Sequence, residues 1–229
     1  MSEEGVNRIP SLISVCLIID VALCVLYLCN VYAGHPIWIV TQLLDLNVEA
    51  SLSSWYSSIQ YFAAFTFSAI FSFFMIKHHG KSLLLLLLPA LFLLMSIDET
   101  AMIHEWVGAK SDALLPSGTR AYTTFDHTGI WVFVVGIPFL AFLVPFFYFI
   151  KKQLADHRSE LLKLMAGMLI MLSGALLLEL SGNFINVNFY FIEVVLEEGF
   201  EMVGATVMTW AVYNMMMTSG ALNYLSRQH

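Results

Sequence analysis

The sequence predicts an all-α integral membrane protein, a bundle of about six transmembrane helices with one further helix at the outer interface. Hydrophobic residues make up 59% of the chain and charged residues only 12%, whereas soluble domains contain about 25% charged residues. The mean hydropathy is +0.78. Long apolar runs alternate with short polar segments, so we expect the chain to fold in a lipid bilayer.

Six apolar runs are long enough for helices that cross the hydrocarbon core, since a spanning helix needs about 20 residues. They cover approximately residues 10–33, 56–77, 82–103, 129–150, 161–182 and 190–214. The segment 36–47 is too short to span and fits a helix that lies in the outer interface. Together these elements predict one transmembrane domain, residues 1–229, without a separate soluble catalytic domain.

The basic residues predict the orientation of the bundle. Eight of them fall on the side that holds both predicted termini, and only Lys110 and Arg120 fall on the opposite side. The eight are Arg8, Lys77, Lys81, Lys151, Lys152, Arg158, Lys163 and Arg227. Because cytoplasmic loops carry the excess of Lys and Arg, we expect cytoplasmic termini and location in the plasma (inner) membrane.

Acidic side chains are concentrated on the predicted outer side. Twelve of the seventeen acids fall there, together with only two basic residues. The third run ends with Asp98, Glu99, His104 and Glu105. In a continuous helix, Asp98 and Glu105 would be about 20° apart and would share one face two turns apart. This spacing predicts a polar face at the outer end of the third helix.

Four glutamates open the sixth run within otherwise apolar sequence. Glu193, Glu197 and Glu201 recur at every fourth position, and Glu198 widens the stripe that they form. Glutamates at i, i+4 and i+8 lie on one side of a helix. We therefore expect this stripe to face the interior of the bundle rather than lipid.

A shortage of basic partners makes these acids a candidate metal site. Glu179 in the fifth run and His127 before the fourth bring further donors to a similar depth. A charged group at membrane depth normally finds a partner, so bound cations, protons or water must neutralise these acids. The predicted metal ligands are Asp98, Glu99, His104, Glu105, His127, Glu179, Glu193, Glu197, Glu198 and Glu201.

This ligand set resembles the one that ferritin-like di-iron and di-manganese bundles use, in which carboxylates and imidazoles project inward from four helices. Oxygen donors favour iron, manganese, calcium or magnesium over a thiolate zinc site. The usual Glu-x-x-His pair is absent, because His104 directly precedes Glu105. The pattern therefore predicts a divalent metal ion but neither its identity nor the catalytic residues.

Three functions fit this pattern and stay open. The first is a membrane-embedded metal-dependent enzyme, an oxidoreductase or hydrolase acting at the outer face. The second is a divalent-cation or proton-coupled transporter or channel, for which the cytoplasmic half offers almost no polar residue besides Asp20. The third is an accessory subunit of a membrane complex. The expected partners are the lipid bilayer and either a homo-oligomer or a larger membrane complex, and we expect no nucleic acid.

Two further features predict packing rather than chemistry. Gly167, Gly174, Ser181 and Gly182 form a stripe of small residues that would let another helix approach closely. Asp20 is a single acid in the middle of the first run. We expect it to form a hydrogen bond with a neighbouring helix, because an isolated carboxylate in the bilayer is costly.

One segment resembles known sequences. The stretch Asp45-Leu-Asn-Val-Glu-Ala-Ser-Leu-Ser-Ser-Trp-Tyr-Ser-Ser58, followed later by Asp98-Glu99 and His104-Glu105, is similar to segments of uncharacterised bacterial multi-pass membrane proteins. The resemblance covers a small part of the chain. It implies a bacterial envelope and no particular activity.

Overall fold

The computed structural model of the chain describes residues 9–48, 50–115, 118–125 and 130–226, and the regular elements in these ranges are helical. Ten α-helices are described there. They are α1 (Ser11–Tyr32), α2 (Trp38–Leu44), α3 (Leu52–His79), α4 (Leu87–Ala101), α5 (Ile103–Asp112), α6 (Ile137–Gln153), α7 (Arg158–Leu172), α8 (Glu179–Gly182), α9 (Tyr190–Thr218) and α10 (Ala221–Ser226).

Five helical stretches among the described residues are long and apolar enough to cross a membrane. They are Ser11–Tyr32, Leu52–His79, Leu83–Ala101, Val132–Gln153 and Ala155–Gly182. The sixth predicted span corresponds to α9, whose glutamates and other polar residues lower its hydropathy. Its 29 residues still extend about 44 Å, more than the thickness of the hydrocarbon core. The predicted all-α membrane bundle is confirmed.

The predicted interfacial segment 36–47 contains α2, and no residue of α2 is buried. Two irregular turns adjoin longer helices: a 3₁₀ turn, Leu83–Leu86, leads into α4, and a π-helical segment, Val132–Gly136, leads into α6. A second π-helical segment, Ser173–Leu178, joins α7 to α8. The fourth and fifth predicted spans are therefore not uniform α-helices, although each remains one continuous helical stretch.

Helix α9 lies at the centre of the bundle and packs against α1, α3 and α7. Its side chains Met202, Met208 and Met215 are fully buried. Close approach to α7 depends on two glycines, because a Cβ added to Gly167 would lie 2.8 Å from the carbonyl oxygen of Gly204. The predicted packing role of the small residues is therefore confirmed at Gly167.

Asp20 joins three helices within the buried interior, where its own exposed fraction is 1%. Its carboxylate accepts hydrogen bonds from Thr206 Oγ1 of α9 at 2.8 Å and from Gln60 Nε2 of α3 at 3.3 Å. Gln60 Nε2 also donates to the hydroxyl oxygen of Tyr56 at 2.8 Å. The predicted hydrogen bond between Asp20 and a neighbouring helix is confirmed.

Candidate functional site

A cavity of about 1330 Å³ opens between α4, α5, α6 and α9, and we call it the acidic cavity. Eight acids among the described residues line it: Asp98, Glu99, Glu105, Asp112, Glu179, Glu197, Glu198 and Glu201. His104 and Arg120 also contribute to its wall. Leucine side chains of α4 and phenylalanine side chains of α6 form an apolar part of the wall, so the cavity has one polar end and one apolar end.

The structure brings most of the predicted ligands to this single cavity. Eight of the ten line it: Asp98, Glu99, His104, Glu105, Glu179, Glu197, Glu198 and Glu201. Glu193 lies beside the lining, within hydrogen-bonding range of Glu197. His127 lies outside the described residues. The placement of the acids on one inner surface follows from the high cost of exposing them to lipid.

The polar face expected at the end of the third helix takes a different form, because α4 ends at Ala101. Met102 adopts the left-handed conformation, with φ +53°, and α5 begins again at Ile103. The expectation that Asp98 and Glu105 lie 20° apart on one continuous helix is therefore wrong. Left-handed backbone costs a non-glycine residue about 1–2 kcal/mol, and such strain is concentrated at functional sites.

The break at Met102 folds His104 back onto Asp98. The backbone N–H of His104 donates to Asp98 Oδ1 at 3.0 Å, and His104 Nδ1 lies 2.8 Å from Asp98 Oδ2. Both carboxylate oxygens thus contact the same residue. This arrangement fixes the imidazole ring and directs its other nitrogen away from the carboxylate.

Trp131 connects this pair to the opposite wall of the cavity. Its ring lies 4.8 Å from that of His104, centroid to centroid, and its Nε1 donates to Glu179 Oε1 at 3.3 Å. Gly108 of α5 makes the approach possible, because a Cβ there would lie 2.7 Å from the Trp131 Cβ. Asp98, His104, Trp131 and Glu179 therefore form a continuous row of contacts.

Both π-helical segments border the cavity. Val135 and Gly136 of the first and Ala175 and Leu176 of the second line its wall. A π-helical turn contains an extra residue, which changes the direction in which the following side chains project; here the next residue is Glu179. Such turns are rare and are frequent at functional sites.

Glu193 and Glu197 form the most buried acidic contact. Glu197 lies within hydrogen-bonding range of both Glu179 and Glu193. The exposed fraction of Glu193 is 3%, and its Oε2 has no hydrogen-bond partner among the described residues. Gly182 makes room for this carboxylate, because a Cβ at that position would lie 2.7 Å from Glu193 Oε1. An acid buried in this way requires a proton or a cation.

The described residues nevertheless contain no group of three or more His, Cys, Asp and Glu side chains that could hold a metal ion. The predicted ligands share a cavity without forming a coordination shell in their present rotamers. Glutamate side chains have several staggered rotamers, so a cation could draw them together without a change in the backbone. The predicted metal site is not confirmed and stays a prediction.

Three residues of the site were missed by sequence reasoning: Asp112, Arg120 and Trp131. Asp112 Oδ1 accepts from the backbone N–H of Ile130 at 3.2 Å, and Asp112 Oδ2 lies 3.8 Å from an Arg120 guanidinium nitrogen. Asp112 is the last residue of α5, and Arg120 belongs to the loop that follows it before the fourth span. Their opposite charges were the available signal, but nothing in the sequence shows that the loop folds over the cavity.

A family model described as Domain of unknown function (DUF8692) matches residues 16–217. The chain belongs to this family. The match includes every acid that lines the cavity. No curated protein and no solved structure matches the chain. The family assignment agrees with the resemblance to uncharacterised proteins and implies no activity.

Proposed function

We propose that this protein is a membrane-embedded enzyme that binds a divalent cation in the acidic cavity and acts on a substrate from the lipid phase. The observation that carries the proposal is the buried Glu193 carboxylate, whose Oε2 has no partner among the described residues. It lies behind the lining, beside Glu197, which borders the cavity together with the other acids. A bound cation would supply the missing partner.

The excess of acidic over basic residues around the cavity favours the binding of a cation with more than one positive charge. Eight acids and one arginine of the described residues line it, and that arginine, Arg120, already lies near Asp112. Carboxylates in a low-dielectric environment repel one another strongly. Their hard oxygen donors suit calcium, magnesium, manganese or iron.

His104 supports a catalytic role for the cavity. Asp98 holds its Nδ1 at 2.8 Å, and this contact fixes the orientation of an imidazole ring that lines the cavity. A histidine oriented by a carboxylate is a common general base. A divalent cation nearby would polarise water or a substrate oxygen, and the histidine would accept the proton that is released.

A transporter or channel would need a polar route through the other half of the bundle. Leu85, Leu88, Ile150, Leu164 and Met215 are each almost completely buried there and form a continuous apolar core. Buried hydroxyl groups such as those of Ser68 and Ser72 lie in the same half, but they give a charged species few hydrogen-bonding partners along such a path. We therefore favour an enzyme over a transporter.

The excess of Lys and Arg on the side of the termini supports an orientation with cytoplasmic termini. In this orientation the acidic cavity belongs to the outer half of the plasma membrane. A substrate would then reach the cavity from the outer leaflet or from the outer aqueous phase. Accessibility of cysteines introduced into α2 or near Ser226 to impermeant reagents would test this placement.

Elemental analysis of protein purified from native membranes tests the cation. We expect near-stoichiometric calcium, magnesium, manganese or iron, and we expect Glu197→Gln and Glu201→Gln to lose it. Asp156→Asn is the matched control, because Asp156 is an exposed acid that lies 3.5 Å from Lys81, far from the cavity. A folded wild-type protein that neither retains nor takes up any of these cations would contradict the proposal.

A further inference from the structure

The apolar end of the acidic cavity indicates the class of substrate. We propose that a long-chain amphiphile with a non-anionic head group enters the cavity from the bilayer, through an opening between α4 and α6. The inference rests on the proposed function for the chemistry at the polar end. It concerns a different part of the wall, which no acid lines.

The opening is marked by apolar side chains that line the cavity and are also largely exposed in the isolated chain. On α4 these are Leu87, Ala90 and Leu94, which recur at i, i+3 and i+7 and therefore form one stripe. On α6, Phe142 has the same double exposure and Phe139 lies one turn before it. The exposed fractions are 63% for Leu94 and 43% for Phe142.

The length of the apolar wall matches that of one lipid acyl chain. On α4 the apolar part of the lining runs from Leu87 to the first acid, Asp98, and these eleven steps correspond to about 16 Å along a helix. Half of the hydrocarbon core is about 15 Å thick. Leu88, Phe146 and Ile150 are buried at the closed end. An amphiphile that lies along α4 would place its head at the acids and its chain between α4 and α6.

The charge of the polar end selects the head group. Eight acids line the cavity, so even two divalent cations together with Arg120 would leave negative charge in excess if the acids are ionised. Juxtaposed like charges cost several kcal/mol in recognition. A phosphate or carboxylate head is therefore disfavoured, whereas a hydroxyl or amine head can contact the carboxylates directly.

The test uses the full-length protein in lipid nanodiscs with hexadecanol that carries a diazirine in its chain. After irradiation, mass spectrometry should find the label concentrated at Leu94 and Phe142 and not at Leu169, which is 64% exposed on α7. Unmodified hexadecanol and hexadecylamine should compete with the probe, and hexadecyl phosphate should not. Even labelling of all lipid-facing positions would overturn the inference, as would strong competition by the phosphate.

Blocking the opening gives a second measurement. Leu94→Trp should reduce labelling of Phe142 several-fold, while Leu169→Trp, at an equally exposed position outside the cavity, should leave it unchanged. Equal labelling of both variants would contradict lateral entry. Metal content is measured on the same samples. Metal without selective labelling would overturn only this inference, and selective labelling without metal would overturn only the proposed cation site.

Discussion

Gly174 lies where the second π-helical segment meets α9, directly behind two predicted ligands. A Cβ added to it would lie 2.6 Å from the carbonyl oxygen of Glu197 and 3.0 Å from Cγ of Glu201. The first neighbour is backbone and cannot rotate away as a side chain does. We therefore expect Gly174→Ala to displace the part of α9 that carries the acids of the cavity.

The size of this displacement follows from the contact distance. Ordinary van der Waals contact begins at 3.4 Å, so the two segments must separate by about 0.8 Å to accept the methyl group. Overpacking of this kind lowers the free energy of unfolding by about 1–3 kcal/mol. Disturbing the residues that position metal ligands reduces affinity by about 10–100-fold. We therefore expect Gly174→Ala to reduce the affinity for the cation by at least about 10-fold.

Gly199→Ala is the matched control on α9 itself. A Cβ at Gly199 would lie 3.4 Å from Cys24 Sγ, which is ordinary contact, and alanine favours a helix over glycine by about 1 kcal/mol. Calorimetric titration with Mn²⁺ or Ca²⁺ would give the affinity, and thermal unfolding in detergent would give the stability. Wild-type cation affinity of folded Gly174→Ala, or equal impairment of Gly199→Ala, would contradict this expectation.

Two other changes test the framework around the cavity by reversible unfolding in mixed micelles. Asp20→Ala removes two interhelical hydrogen bonds and should lower the free energy of unfolding by about 1–3 kcal/mol. Ile18→Ala, at a position 67% exposed on the same helix, should lower it less. Equal losses of stability would contradict the role of Asp20 in holding the helices together. Met102→Gly replaces a methionine in the left-handed conformation and should stabilise the protein by up to about 1 kcal/mol. Gly80→Ala, at φ +61°, should destabilise it by a similar amount. A change of stability in the same direction for both variants would argue against strain at Met102.

The helices were predictable because a membrane span leaves a simple signal. Apolar runs of about 20 residues have few other structural solutions in a protein, and the described helices agree with the predicted spans within a few residues. The role of Asp20 was predictable for a related reason, since a mid-span carboxylate must find a hydrogen bond. Its particular partners, Gln60 and Thr206, were not, because they depend on how α1, α3 and α9 pack.

The break at Met102 had no signal in the sequence. The residues around it include no glycine or proline, and methionine has a high helix propensity. The backbone turns there in a way that gives Asp98 two hydrogen-bonding contacts with His104. Contacts of this kind depend on the folded structure, and the periodicity of the sequence does not show them. The π-helical segment Ser173–Leu178 is equally hidden, since its sequence is as apolar as the α-helix before it.

The buried apolar residues that stabilise the bundle and the acidic residues of the cavity lie in different halves of the protein. This separation explains how a small membrane protein can hold so many acids. In the half away from the cavity, Phe71, Leu88 and Met208 are fully buried in one apolar core. At Gly167 and Gly204, α7 and α9 are in backbone contact. Beyond these contacts the carboxylates line the cavity between α4, α5, α6 and α9, so we expect repulsion between them to strain the cavity end without opening the core. A cation that relieves this repulsion should therefore stabilise the cavity end far more than the core, and hydrogen exchange with and without Mn²⁺ would resolve that difference.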